Sequence, residues 1–183
     1  KKALDILEGA GAEVDHHTLS ATIPERLVEE AVRKAPKSID LCSRNSKLDL
    51  HLDGENIFNI TDGVATHVID FNTGKRRAGR KDDLCKAAQI VDFLDYINAV
   101  FTPLTPQDTP LHSHMLHEFE AVLNNTEKHY CAGAVDDSRE IPYLMEMMAA
   151  VVGGEEEVRR RPMMSACTCL VNPLIIPREG IEP

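Results

Sequence analysis

Three histidines stand close together in the second half of the chain, at positions 112, 114 and 117. Imidazole nitrogens are common zinc ligands, but at about 100° per helical residue His114 and His117 lie roughly 60° apart while His112 lies about 140° or more away. Side chains spread round a helix in this way cannot close one tetrahedral site, so we expect no metal here. His112 keeps a second interpretation, because it lies near the amino end of a helix that follows a strand, where βα units bind ligands.

Cys167 and Cys169 form a second group with possible chemistry. On a predicted strand both side chains point to the same face. A metal site would need two further ligands nearby and none is evident, so we interpret both cysteines as small buried strand residues. The adjacent Arg76 and Arg77 are interpreted as solvated surface at a turn or strand end. No arrangement of serine, histidine and aspartate stands out from chance, so the residues by themselves leave the reaction open.

The elements that would position these side chains follow a repeat in residues 97–174. Short apolar runs alternate with helical patterns, which is typical of parallel α/β construction. The runs are 97–103, 129–135 and 162–174, and the helical patterns are 110–126 and 138–152. Asp108 or Thr109 could cap the first of these helices. The last run has no helix after it, so we expect the opening part of a larger βα-repeat domain.

Residues 1–80 follow a different pattern. Helical patterns cover residues 1–10 and a stretch opened by Pro24, whose apolar face is formed by positions 27, 28, 31 and 32. Between residues 38 and 77 apolar and polar side chains alternate, with turn signals at Asp53-Gly54 and at residues 72–75. We predict an antiparallel β-meander that packs on the outside of the parallel part or caps one end of it. The predicted domains are residues 1–80 and 81–183.

Composition excludes several classes of partner. The chain has 183 residues, 43% of them hydrophobic, which is enough for one domain with a real core. Its formal charge of −10 argues against nucleic acid or an anionic membrane as the main partner. Neither a transmembrane run nor a signal peptide is visible, and an odd number of scattered cysteines, five, fits free thiols in a reducing cytoplasm. Both ends fall inside helical patterns, so we expect a piece of a longer polypeptide.

Several stretches resemble the trimethylamine methyltransferase family. They are ALDILEGAGAEVD (residues 3–15), IPERLVEEAVRKAPKSIDLCSRN (23–45), VIDFNTGKRRAGRKDDL (68–84) and IVDFLDYINAV (90–100). The resemblance covers nearly the whole chain and rests on order and spacing. It implies an α/β fold that is the amino-terminal part of a TIM-type (β/α)8 barrel, preceded by a helical and antiparallel β-meander extension.

The resemblance also implies a reaction. Members of the family move a methyl group from a methylated amine, either trimethylamine or a quaternary amine such as glycine betaine, to the cobalt of a separate corrinoid protein. This chain is then expected to bind no cofactor directly, to depend on that corrinoid protein as its partner, and to assemble as a homo-oligomer in the cytoplasm. Some members carry pyrrolysine, at a position that lies beyond residue 183, so the substrate branch stays open.

In a barrel, the loops after the strands form the ligand face. Here those loops are residues 102–108, 133–137 and 172–178. The residues expected to line a substrate pocket are therefore Thr102, Gln107, His112 and Asn172. Each of the four could instead only cap a helix or shape a turn, and no catalytic residue is assigned.

Two other functions remain open. One is a different TIM-barrel enzyme of the lyase or aldolase type, which a carboxylate or lysine at a strand end would favour; none of the three predicted strands ends that way. The other is a non-catalytic binding or assembly module built on the β-rich part, which a large exposed apolar patch would favour. The alternating pattern of residues 38–77 gives no such indication.

Overall fold

The computed structural model describes residues 2–133, 138–167 and 175–176. They form two compact units, the first made of residues 2–37 with 175–176 and the second of residues 38–133 and 138–167. Of the three antiparallel hairpins before residue 80, one lies in the first unit, and the other two belong to the second unit together with the parallel sheet. The domain division predicted at residue 80 stays a prediction about the whole protein. Among the described helices, none has the length and apolar character that crossing a bilayer requires.

The first unit is a small helix–hairpin–helix arrangement. Helix α1 (Lys2–Gly9) is followed by the antiparallel strands β1 (Glu13–Asp15) and β2 (Ser20–Thr22) and by helix α2 (Glu25–Lys34). The predicted helices are thus confirmed, and Gly11 takes the positive φ of +99° that a glycine after a helix tolerates. The apolar side of α2 does not enter a core, since no residue of the helix is buried.

The antiparallel part of the second unit consists of two separate hairpins. Strand β3 (Ile39–Leu41) pairs with β4 (Leu50–Leu52), and β5 (His67–Ile69) pairs with β6 (Arg76–Ala78). The prediction of one continuous meander is therefore wrong. The turn at Asp53-Gly54 does not form a hairpin. The Asp53 carboxylate accepts hydrogen bonds from the N–H groups of Glu55 and Asn56, and the chain then leaves β4.

The parallel repeat is confirmed. Its strands are β7 (Ala99–Phe101), β8 (His129–Ala132) and β9 (Met164–Ala166), all parallel and in that order. Its helices are α3 (Lys81–Phe93), α4 (His114–Leu123), α5 (Ile141–Val152) and α6 (Glu155–Arg160), with 3-10 turns at Leu111–Ser113 and Ser138–Glu140. Helix α6 was not predicted, because it is strongly charged and only Val158 is buried.

A fourth parallel segment precedes these strands. Residues 60–65 run alongside β7, with Ile60 opposite Ala99 and Ala65 opposite Leu104. The segment is connected to β7 through the second hairpin and α3, so it is the strand of an additional βα unit. The sheet therefore has the sequential order 60–65, β7, β8, β9, and within the described residues it is open.

The two faces of this sheet differ. Val100, Tyr130 and Met164 share a register and one face, and Val100 and Tyr130 are buried in the core that the helices cover. On that side α3 packs against α4 and α4 against α5. On the opposite face Phe101 lies beside Cys131, and Cys131 beside Ser165, all three only partly buried. The helices thus cover one face of the sheet.

The first hairpin covers the amino ends of the strands. His129, buried to 1% exposure, hydrogen-bonds through Nδ1 to the Cys42 carbonyl at 2.7 Å and through Nε2 to the Ser165 hydroxyl at 3.0 Å. Arg161 donates to Asp49 at 2.8 Å. The prediction that the β-rich region caps one end of the parallel part is confirmed for this hairpin.

Candidate functional site

The candidate site lies where the parallel strands end. In sheets of this construction, ligands bind beyond the carboxyl ends of the strands, because the loops there can vary without disturbing the core. The described residues at this edge are 61–64, 101–103 and 131–133, which together are called the carboxyl-end site below. They come from the additional segment, from β7 and from β8.

Gly63 and Phe101 are in direct contact in this site. A Cβ atom on Gly63 would lie 2.2 Å from the Cδ1 atom of Phe101 and 2.8 Å from the Thr102 carbonyl oxygen. The Thr61 hydroxyl donates a hydrogen bond to the Phe101 carbonyl, and the Val64 N–H donates to the Thr102 carbonyl at 2.8 Å. Only glycine allows the segment to approach β7 this closely, which positions the Phe101 ring.

Val64 holds a strained backbone beside this contact. Its φ is +58°, in the left-handed region that β-branched residues rarely adopt. Its N–H bond to Thr102 and the 2.9 Å bond from the Thr105 N–H to the Ala65 carbonyl keep the chain in that conformation. Strain of this kind is found preferentially at functional sites, where the surrounding structure compensates for it.

Thr102 lies on the helix-covered side of the site. It is fully buried, and its hydroxyl lies 2.7 Å from the hydroxyl of Tyr130. Burial raises the pKa of Tyr130, and the Glu118 carboxylate adds to that rise, so the phenol stays protonated. Because the Thr102 hydroxyl is engaged with Tyr130, its direct role here is to fix the end of β7. Its predicted contact with substrate stays a prediction.

The other predicted pocket residues are not brought together. Gln107 is exposed, its side chain donates to the Thr105 carbonyl at 2.9 Å, and its N–H donates to the Gly79 carbonyl at 2.8 Å. His112 is exposed in the 3-10 turn before α4. Asn172 lies outside the described residues.

Asp62 is a site residue that the sequence analysis missed. It is an exposed carboxylate between Thr61 and Gly63, and it accepts a hydrogen bond from the Gly63 N–H at 2.8 Å. It adjoins the glycine that lies against the Phe101 ring, so a negative charge and an aromatic ring occur at one strand end. Nothing in the sequence indicated that residues 60–65 run parallel to β7, and only that pairing places Asp62 at the carboxyl end of the sheet.

The histidines and cysteines that opened the sequence analysis have other surroundings. His117 lies 3.1 Å from the Lys81 ammonium through Nδ1, and His114 lies 2.7 Å from the Leu111 carbonyl. Among the described residues, the group with metal-ligand spacing is elsewhere, at the exposed Asp5, Glu8 and His16. Cys167 is exposed after β9, so its predicted burial is wrong, and Cys169 lies outside the described residues.

The second hairpin is anchored beside the site. Arg77 forms a two-point pair with Asp83 at 2.6 and 2.8 Å, which lowers the pKa of Asp83 to about 2, and it also reaches Asp70 at 3.3 Å. Asp108 accepts from the Lys81 N–H at 2.9 Å and so caps α3. The prediction that Asp108 caps the following helix is therefore wrong, because its carboxylate reaches back to the earlier helix.

The fold and the site define an α/β protein of the βα-repeat class, with its candidate ligand site at the carboxyl ends of sequentially ordered parallel strands. The chain matches the trimethylamine methyltransferase (MTTB) family over residues 1–182. It belongs to that family, which confirms the resemblance drawn from the sequence.

Named relatives agree with this assignment. The chain is similar to the trimethylamine methyltransferase MttB of Desulfitobacterium hafniense, with 35% identity over 182 residues that cover 100% of this chain and 36% of the relative. It is also similar to MttB2 of Methanosarcina mazei and to MttB1 of Methanosarcina acetivorans, each 28% identical over 94% of this chain and 36% of the relative. The chain thus spans about a third of the length of these relatives.

Proposed function

We propose that this chain is part of a longer methyltransferase that moves a methyl group from trimethylamine to the cobalt of a separate corrinoid protein. The observation that supports this most is family membership over residues 1–182, together with a ligand edge on the parallel sheet. Glycine betaine is the alternative substrate, and the experiment below includes it in a parallel reaction. The corrinoid belongs to the partner, and this chain binds none itself.

We also propose that the parallel sheet is the first half of a (β/α)8 barrel. The strand order 60–65, β7, β8, β9 follows the chain, and helices α3, α4 and α5 pack side by side. In a doubly wound sheet the order reverses and helices cover both faces, whereas a barrel keeps sequential order with helices outside. Phe101, Cys131 and Ser165 would then face the barrel interior.

The chemistry sets the task for the protein. In the transfer the C–N bond breaks and its electron pair stays on nitrogen. The demethylated amine therefore leaves readily only if the nitrogen of the donor carries a positive charge. Reduced cobalt of the acceptor supplies the electron pair for the new bond to carbon. The residues of this chain have to bind the ammonium group, orient one methyl group away from the sheet and keep water from replacing the acceptor.

Asp62 and Phe101 have the chemistry for that binding. A carboxylate attracts a methylated ammonium by charge, and the face of an aromatic ring attracts it through its quadrupole. Gly63 lies against the ring of Phe101, and Asp62 directly precedes Gly63 in the chain. The side chains beside Phe101 on the same face, Cys131 and Ser165, are small.

The two rival functions are less well supported. A lyase or aldolase would use a carboxylate at a strand end, and Asp62 occupies such a position; family membership favours methyl transfer instead. A non-catalytic module would not require a ligand edge with a strained Val64.

The full-length protein provides the test. Incubated with cob(I)alamin and trimethylamine, it is expected to produce the absorbance of methylated cobalamin, with glycine betaine in a parallel reaction. Asp62→Asn is expected to raise the KM for the amine about tenfold, which corresponds to about 1.4 kcal/mol of lost attraction. Asp95→Asn is the control, because Asp95 is an exposed carboxylate at the amino end of the sheet. No methylation with either amine would overturn the proposal.

A further inference from the structure

The second hairpin, β5–β6, has an outer face whose side chains are exposed to solvent. Paired strand residues share a face, so Ile69 and Arg76 lie side by side on it. Ile69 is 66% exposed, and Phe71, just beyond the strand, is 99% exposed. A fully exposed phenylalanine is costly in water, and together with exposed isoleucine it marks a contact surface.

The inner face of the hairpin is firmly anchored. Val68 packs against the core, and its strand partner Arg77 is held by Asp83 and Asp70. Asp70 also fixes the turn, since its carboxylate accepts hydrogen bonds from the N–H and the hydroxyl of Thr73 at 3.0 and 2.9 Å. The outer face is therefore presented in one orientation and cannot turn inward to bury its apolar side chains.

This face also carries positive charge. The chain has a formal charge of −10, yet Lys75, Arg76 and Arg80 are exposed cations that form no ion pair with any described residue. The name arm surface is used here for Ile69, Phe71, Lys75 and Arg76. It combines two exposed apolar side chains with two unpaired cations, so it is complementary to an acidic surface that has an apolar socket.

The hairpin stands next to the candidate site. Its base is tied to the carboxyl-end loops, because the Gly79 N–H donates to the Thr66 carbonyl at 3.1 Å and the Gly79 carbonyl accepts from Gln107 at 2.8 Å. It follows directly on the segment that carries Asp62 and Gly63. The arm surface is thus carried by a hairpin whose base is hydrogen-bonded to the loop after β7.

We infer that the arm surface docks the methyl-accepting partner, through an acidic patch with an apolar socket on that partner. The inference rests on the proposed function, which requires a second protein to reach the carboxyl-end site. The cations attract the partner over distance, and Phe71 supplies the buried anchor once the two proteins meet.

The test compares two acceptors for the full-length protein. Free cob(I)alamin needs no docking, whereas the corrinoid protein does. Phe71→Ser and the double change Lys75→Glu with Arg76→Glu are expected to raise the KM for the corrinoid protein at least about tenfold and to leave methylation of free cobalamin unchanged. The effect of the charge reversal should shrink as salt rises. Phe93→Ser is the matched control, because Phe93 is 85% exposed at the end of α3 remote from the carboxyl-end site.

The outcomes separate this inference from the proposed function. If the unaltered protein methylates neither acceptor, the proposed function fails. If it methylates both and the arm variants use the corrinoid protein as well as the control does, docking at the arm is refuted. A loss of activity with free cobalamin and a lower melting temperature would show that the arm surface packs on the rest of the protein instead. A change in molecular mass at unchanged KM would assign it to a contact between copies of the chain, and both results would overturn the inference.

Discussion

Gly63 lies against the ring of Phe101 so closely that a Cβ atom would stand 2.2 Å from Cδ1. The contact joins the additional segment to β7 at the end where both strands open towards the candidate site. Because the Thr102 carbonyl oxygen also lies 2.8 Å from that position, rotation of the ring alone could not make room for a methyl group. The glycine therefore sets the distance between the two strands.

Gly63→Ala is expected to push the segment away from β7. Overpacking of this kind costs about 1–3 kcal/mol of unfolding free energy and should also displace Phe101 and Asp62. Urea unfolding and the KM for the amine measure the two effects. Gly9→Ala is the matched control, since nothing lies within 4 Å of a Cβ atom there and no effect on the KM is expected. A Gly63→Ala protein with unaltered KM would show that the spacing of the strands does not matter for the site.

Substitutions of Thr102 and Tyr130 are expected to have non-additive effects on the unfolding free energy, because their hydroxyl groups hydrogen-bond to each other. Thr102→Val or Tyr130→Phe alone leaves one buried hydroxyl without its partner, at a cost of about 1–3 kcal/mol, whereas changing both removes the pair. The double variant should therefore lose less stability than the sum of the single variants, as measured by urea unfolding. If Thr102 also contacts substrate, Thr102→Val will raise the KM for the amine while Tyr130→Phe will not. Equal effects on the KM would assign Thr102 a purely positioning role.

Much of this fold could be predicted because its signals are local. The apolar runs at β7 and β8 and the amphipathic pattern of α3 are contiguous, and each corresponds to an element in the structure. Residues 60–65 could not be recognised in the same way. Their partner, β7, lies about 40 positions further along the chain, and the Asp53-Gly54 turn signal favoured a local hairpin instead.

The candidate site was harder to predict than the fold for a related reason. That the loops after the strands form the ligand edge stays a prediction. Of the residues chosen there, the Gln107 side chain bonds within its own turn and His112 is exposed to solvent. Asp62 and Gly63 stand at a strand end only because a non-local pairing places them there. Thr102 was selected for its position, and its hydroxyl partner, Tyr130, comes from the next strand.

The buried Lys128 is expected to contribute much more to the unfolding free energy than an exposed lysine does. Its ammonium donates to three carbonyl oxygens at the end of α3 and just beyond, those of Val91, Leu94 and Ile97, at 2.6, 2.8 and 2.7 Å. Lys128→Met keeps most of the side-chain volume but removes the three hydrogen bonds from the ammonium. The Val91 and Leu94 carbonyls keep backbone donors, so we expect a loss of about 1.5–3 kcal/mol. Lys86→Met is the control, since the Lys86 side chain is 64% exposed and its ion pair with Asp82 lies at the surface, worth about 0.5 kcal/mol or less. Similar losses in the two variants by urea unfolding would refute the capping role.

His129 predicts a loss of stability in mild acid. The Cys42 carbonyl can only accept a hydrogen bond, so Nδ1 carries the proton and Nε2 accepts from the Ser165 hydroxyl. Burial lowers the pKa of His129 below its ordinary value of about 6.5, although the bond to Cys42 and the charge of Asp49 oppose that change. Below about pH 6.5 the unfolded chain therefore binds a proton that the folded chain does not, and the unfolding free energy falls by up to about 1.4 kcal/mol per pH unit.

The change His129→Gln separates this titration from the others. Glutamine can still donate to the Cys42 carbonyl but carries no titrating group, so the variant should be less stable at pH 7 and yet lose less stability between pH 6.5 and pH 5. Urea unfolding at several pH values measures both slopes, and their difference belongs to His129 alone, since the remaining histidines are common to both proteins. Parallel slopes would mean that His129 is protonated in the folded state as readily as in the unfolded chain. The protonated Nε2 would then donate to the Ser165 hydroxyl, which can accept as well as donate, so the contact between β8 and β9 would be kept in acid.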